Sequence, residues 1–294
     1  MHFKLIAADK SDVGKQREQN EDSAYKRIES FDDGDRGLFI VADGMGGYQA
    51  GEVASKIAVE TISKALESFF KPTADQPTIK LSLPVNDATI GPASASNGDA
   101  GKQATKTRKL AETPIAKSVE DQFTSAIQQA NKEIVRYGER QSGARGLGCT
   151  VTATLIQNDH AYIANVGDSR TYLLRDGKLK ALTKDHSLVA RLVEEKQIDP
   201  EDIYSHPQRN LIYRSLGAGH KTIEVDVFHE TLLPNDTLLL CSDGLWEMVH
   251  TKILLAELSA KTSPQAISSR LIDLANENGG EDNITAIVVH VTAH

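Results

Sequence analysis

Four apolar runs of strand length each meet an aspartate close to glycine, and no other feature of the chain constrains its fold as much. Leu38–Ala42 runs into Asp43-Gly44, and Leu238–Ser242 runs into Asp243-Gly244. Ala161–Val166 ends in Gly167-Asp168, and the last run, Ile284–Val291, follows Gly279-Gly280-Glu281-Asp282-Asn283. Unbroken apolar runs of this kind mark strands buried on both faces. Glycine beside the acid lets backbone or ligand come close. One aspartate at a strand end is an ordinary turn former. Four together, with Asn20-Glu21-Asp22 near the start, point to acids that converge. Two carboxylates 5 Å apart at an effective dielectric near 20 repel by about 3 kcal/mol. A converging set therefore needs protons or cations.

The remaining strand signals are Phe3–Ala8, Thr150–Gln157, Arg170–Arg175, Lys178–Leu182 and Ile223–Phe228, and the strand leading to Asp243 is bounded as Thr237–Cys241. Asp176-Gly177 and Asn158-Asp159 read as hairpin turns, because these residues accept positive φ. Hairpins mean antiparallel pairing, which excludes a doubly wound parallel sheet. Helical spacing covers Val53 to Phe69 and Val119 to Tyr137, and helices are expected at Leu188–Glu195 and Pro264–Glu277. The fold class is α+β, with strands packed face to face and helices outside.

Between those first two helices, residues 71–115 hold five of the nine prolines and no aromatic residue. The stretch has no period of 2 or 3.6 and reads as a disordered insert in one domain spanning residues 1–294. At 294 residues the chain is long enough for a sizeable core. A net charge of −8 argues against non-specific binding to nucleic acid or to an anionic membrane. No apolar run is long enough to span a bilayer, and no secretory signal opens the chain, so a cytoplasmic location is expected.

Cys149 and Cys241 sit in apolar runs and read as small buried hydrophobes. A thiol phosphatase needs arginine six residues after its cysteine, and those positions hold Leu155 and Glu247. No Cys/His pattern has zinc spacing. Oxygen ligands alone select hard ions, Mg²⁺ or Mn²⁺, with Ca²⁺ as a further candidate. Two such ions about 3.5–4 Å apart hold and deprotonate a bridging water for in-line attack at phosphorus. Phosphate oxygens also need a cation, and Arg17, just before Glu21 and Asp22, has the fork geometry for two of them.

Six motifs occur in order. They are Ser11-Asp12-x-Gly14-x-x-Arg17-x-x-Asn20-Glu21-Asp22, Val41-Ala42-Asp43-Gly44-Met45-Gly46-Gly47, Gly148-Cys149-Thr150, Asn165-Val166-Gly167-Asp168-Ser169-Arg170, Ser242-Asp243-Gly244-Leu245-Trp246 and Asp282-Asn283-Ile284-Thr285. Through them the chain resembles the metal-dependent Ser/Thr protein phosphatases of type 2C (PPM), in their bacterial form. The resemblance implies a four-layer α-β-β-α sandwich of two antiparallel sheets with a dinuclear Mn²⁺ or Mg²⁺ centre at one end. By motif match, Asp43 would bridge both ions, and the Gly44 carbonyl would bind one of them. Asp243 and Asp282 would bind the other, with Glu21 and Asp22 ligating directly or through water. Asp168 would join a third, weaker site that shares Asp243. Arg17 would hold the substrate phosphate.

Residues 185–220 resemble the family's flap, with Tyr213 where threonine is usual. Within it His206 and Arg214 are candidates for phosphoprotein contact or for structural roles. Animal members carry histidine as a general acid where this chain has Met45, and a thioether donates no proton. The implied activity is hydrolysis of phosphoserine or phosphothreonine in proteins by direct attack of water, opposite a cognate Ser/Thr kinase, in a monomer. Two alternatives stand beside it: a catalytically silent phosphoprotein-binding relative, and a phosphatase of an anti-anti-sigma factor.

Overall fold

Leucine, isoleucine and valine runs set the framework. The computed structural model describes residues 2–46, 50–71, 118–141 and 146–293. The expected insert at 71–115 therefore lies, Lys71 apart, outside the described residues. One five-stranded antiparallel sheet contains β1 (Phe3–Asp12), β8 (Arg170–Arg175), β9 (Lys178–Ala181), β12 (Thr237–Cys241) and β13 (Ile284–Ala293), in the order β1-β13-β12-β8-β9. The second contains β2 (Ser23–Phe31), β3 (Gly34–Ala42), β6 (Val151–Gln157), β7 (His160–Val166) and β11 (Asp226–Thr231), in the order β11-β7-β6-β3-β2. A short ladder joins β4 (Gly44–Met45), β5 (Gly148–Cys149) and β10 (Leu216–Gly217).

The period of two along each strand decides the layering. Phe39 and Val41 meet Ile163, Leu238, Leu240 and Ile287 between the sheets. On the other face of β3, Leu38 and Ile40 lie with Ile62 of α1 (Ala50–Ala65) and Ile127 of α2 (Val119–Arg140). Leu239 and Val288 of the first sheet share a cluster with Trp246 of α4 (Asp243–Trp246), Leu254 of α5 (Thr251–Leu258) and Leu271 of α6 (Pro264–Glu277). The result is the expected four-layer α-β-β-α sandwich. Each fully buried leucine or phenylalanine here contributes about 1.5–3 kcal/mol before entropy is counted.

Local chemistry sets the element ends. The Ser118 side chain accepts the Asp121 N–H at 3.1 Å to start α2. Ser263 does the same for Ala266 at 3.2 Å, with Pro264 at the first position of α6. The β8–β9 turn has φ of +49° at Asp176 and +70° at Gly177, the conformation expected of that hairpin. Asn158, at φ +57°, turns β6 into β7.

Several expectations shift. Ile223–Phe228 gives way to β11 at Asp226–Thr231, because pairing runs from Asp226 against Asn165 to Thr231 against His160. The helix expected from Val53 to Phe69 stops at Ala65 and tightens into a 3₁₀ turn over Glu67–Phe70. Residues 185–220 carry α3 (Leu188–Glu194) and a 3₁₀ turn over Pro200–Tyr204. Among the described residues no helix is long and apolar enough to cross a membrane.

Candidate active and metal site

Register brings the four strand ends together. Val41 faces Thr152 and Val151 faces Val166, so β3 and β7 finish at the same end of their sheet. Cys241 faces Ala286, so β12 finishes where β13 begins. Asp43, Asp168, Asp243 and Asp282 consequently line one cleft of about 240 Å³. Glu21, Gly44 and Arg17 line it too. Asp22 lies behind this lining, buried, where its Oδ2 accepts the Ser242 hydroxyl at 2.8 Å.

The loop bearing Arg17 and Glu21 is clamped to the loop bearing Asp282. Lys15 N–H donates to Gly280 O at 2.7 Å. The Asn283 carboxamide accepts Glu21 N–H at 2.8 Å and donates to Val13 O at 2.9 Å and Gln19 O at 2.8 Å. Gly14, at φ +77°, has no room for a side chain, since a Cβ there would come 2.2 Å from Asp282 O. Arg17 Nη2 lies 2.6 Å from Asp282 Oδ2, with its side chain half exposed.

Electrostatically the cleft is strained toward cation binding. Burial first, then Asp243, Asp22, Asp168 and Asp282, push the Asp43 carboxyl well above the usual range. Asp243 is pushed well up by burial, Asp168, Glu247 and Asp282, although the Asp43 carboxyl is its hydrogen-bond neighbour. Burial, then Asp185, raises Asp168 to about 7, and burial raises Asp22 to about 6. Glu21 is raised by burial, while Arg17 and the Gly51 N–H at the start of α1 pull it down. Asp22 Oδ1 and Asp243 Oδ1 are buried with no hydrogen-bond partner. Orphaned carboxylate oxygens among like charges fit a hard divalent ion. Among the described residues no three His, Cys, Asp or Glu side chains close around one point as a finished ligand set.

Residues 14–276 match the protein phosphatase 2C family. The chain belongs to that family. It is 36% identical over 280 residues to the serine/threonine phosphatase stp of Listeria monocytogenes, covering 95% of this chain and 93% of that one. The crystal structure of the Mycobacterium tuberculosis serine/threonine phosphatase PstP/Ppp superposes with a TM-score of 0.75 at 32% identity, covering 98% of this chain and 99% of that one. The PstP catalytic domain in complex with two manganese ions gives a TM-score of 0.74 at 30% identity, covering 99% and 100%. This type 2C phosphatase is thus a divalent-metal-dependent protein-serine/threonine phosphatase, and its substrates are phosphoproteins.

Other positions depart from, or add to, the sequence reading. Arg214 is held by Asp226 Oδ1 at 2.7 Å and Glu224 Oε2 at 2.9 Å. His206 Nδ1 accepts the Gln208 N–H at 3.1 Å within its own turn. Met45 lines the cleft, as do Asn210 and Ile212 of the 185–220 stretch, which the sequence did not single out. Ser242 and Asn283 stand inside quoted motifs, yet their partners Asp22 and Val13–Glu21 are more than 200 residues away. Both cysteines are buried, and burial pushes their thiols up.

Proposed function

We propose that the cleft is the phosphatase active site and that Glu21, Asp22, Asp43, the Gly44 carbonyl, Asp243 and Asp282 hold two Mn²⁺ or Mg²⁺ ions. Asp168 contributes to a third, weaker site together with Asp243. When bound, the ions supply an acidified water for in-line attack at phosphorus and offset charge on the phosphoryl oxygens. The observation that carries this reading is the set of buried carboxylates at one end of the sandwich, with unpartnered oxygens on Asp22 and Asp243.

Arg17 binds and orients the phosphate. Its half-exposed guanidinium already stands at the cleft, and its fork can exchange the Asp282 oxygen for two phosphate oxygens. Asp43 and Asp243 orient the reacting centre from opposite sheets. Met45 donates no proton to the leaving serine or threonine. Asn210 and Ile212, from the 185–220 flap, line the cleft beside the acids. One domain spans the chain, with 71–115 an insert. The enzyme works as a cytoplasmic monomer opposite a cognate Ser/Thr kinase.

Hydrolysis of a phosphothreonine peptide with Mn²⁺, with Mg²⁺ and with chelator tests the reading. Turnover is expected only with the ions, and Asp243→Asn is expected to remove it by at least about a thousandfold, the scale of a lost group at the reacting centre. Wild-type turnover in Asp243→Asn would overturn the assignment.

A further inference from the structure

His186 is bonded, through its main chain and its ring, to two segments that line the cleft. It is 2% exposed. One wall carries Asp168, directly after Gly167; the other carries Asn210 and Ile212 of the flap. Toward the first wall, Gly167 N–H donates to His186 Nδ1 at 2.9 Å, and His186 N–H returns a bond to Gly167 O at 2.9 Å. Toward the second, His186 O accepts Tyr213 N–H at 2.8 Å, and Ser187 bridges Ile212 in antiparallel fashion. The far ring nitrogen, Nε2, lies 3.2 Å from Asp226 Oδ2. Asp226 Oδ1 in turn accepts Arg214 Nη1 at 2.7 Å, and Arg214 follows Ile212 by two residues in the flap.

These bonds assign the ring's proton. Nδ1 accepts, so it carries none, and the neutral ring holds its hydrogen on Nε2 and donates it to Asp226. Arg214 Nη1, 2.9 Å from Nε2, is also a donor, so both groups converge on the Asp226 carboxylate. Burial pushes the imidazole pKa below its ordinary value, which keeps the ring neutral. A rigid ring with an acceptor on one edge and a donor on the other is suited to bridging two walls. Asparagine reproduces only the Nδ1 edge, and glutamine reaches only the Nε2 position.

We infer that His186 is a positioning residue that fixes the flap wall against the Asp168 turn and so sets the cleft for a protein-borne phosphate. The inference rests on the cleft being the phosphatase site. His186→Asn keeps an acceptor for Gly167 N–H and releases Asp226. It is expected to raise the KM for a phosphothreonine peptide about tenfold, with kcat on a small aryl phosphate within about twofold of wild type. His186→Gln keeps the Asp226 bond and leaves Gly167 N–H unpartnered beside Asp168. It is expected to lower kcat about tenfold on both substrates, with little change in peptide KM.

Asp226→Ala, at a partly exposed side chain, cuts the tie from outside and should reproduce the asparagine pattern even if the ring variants lose stability. Nitrogen-15 spectra of the wild-type protein should show the Nε2–H tautomer. Equal losses in the asparagine and glutamine variants on both substrates would reduce His186 to packing. Wild-type kinetics in both, or a hydrogen on Nδ1, would also overturn the inference. Asp243→Asn run in parallel separates the two questions: if it stays active, the reading of the cleft has failed, whatever the His186 variants do.

Discussion

At the scale of single residues, the site depends on side chains that satisfy several backbone groups at once. Asn283 is 5% exposed and serves Glu21 N–H, Val13 O and Gln19 O with one carboxamide. Leaving a buried polar group unpartnered costs about 1–3 kcal/mol, and facing it with a charge costs more. Asn283→Asp keeps the acceptor for Glu21 but turns a carboxylate toward two carbonyls. Asn283→Ala leaves all three groups, Glu21 N–H included, unpartnered but adds no charge. The aspartate is therefore expected to be the more destabilising substitution, by about 1 kcal/mol or more in urea unfolding. Both variants should lower kcat/KM, because the loop they loosen carries Arg17 and Glu21. An aspartate variant more stable than the alanine would mean that the retained Glu21 bond outweighs a charge facing the Val13 and Gln19 carbonyls.

At the scale of elements, close approach outranks helix propensity at the start of α1. Gly51 lies in its first turn, where alanine is intrinsically better by about 1 kcal/mol. A Cβ there, however, would come 2.7 Å from the Gly44 backbone and 2.7 Å from Glu21 Oε2. Backbone does not give way cheaply, and overpacking costs about 1–3 kcal/mol. Gly51→Ala is therefore expected to lower Tm and weaken divalent-ion binding, measured by calorimetry; a raised Tm would show that propensity wins. The same contrast explains what the sequence disclosed. Strands buried on both faces, such as β3 and β12, announce themselves as apolar runs, and their Asp-Gly ends marked the cleft. By contrast β2 carries no strand signal in the sequence, because Ser-Ala-Tyr-Lys-Arg-Ile-Glu-Ser-Phe shows neither clean alternation nor full burial along its length. Asp33-Gly34, the turn that delivers it to β3, offered a signal. Helix α5 is too short to display a period. Contacts such as Ser242 with Asp22 and Arg17 with Asp282 depend on register across the whole sandwich, which residue spacing does not encode.

At the scale of the whole molecule, the two sheets hold acids together that the chain without cations keeps apart only at a cost. Folded Asp22 and Asp168 have pKa values near 6 and 7, above the 3.8 of a free aspartate, chiefly through burial. The native state thus binds these protons more tightly than the unfolded chain. Stability rises with pH only where the unfolded state binds more protons, so here it falls. This contribution is fully present below about pH 4 and is lost as pH rises through about 6 and 7. Divalent ions act the other way, because they bind the ionised carboxylates and compete with protons. Metal-free protein should therefore lose Tm between about pH 5 and pH 8 relative to the Mn²⁺-loaded protein, so the gap between the two widens as pH rises. Asp243→Asn, which removes one of the converging charges, should narrow that gap while raising the Tm of the metal-free form. Differential scanning calorimetry in chelator and in Mn²⁺ across this range decides the matter. A gap independent of pH, or one unchanged by Asp243→Asn, would place the ions somewhere other than among these carboxylates.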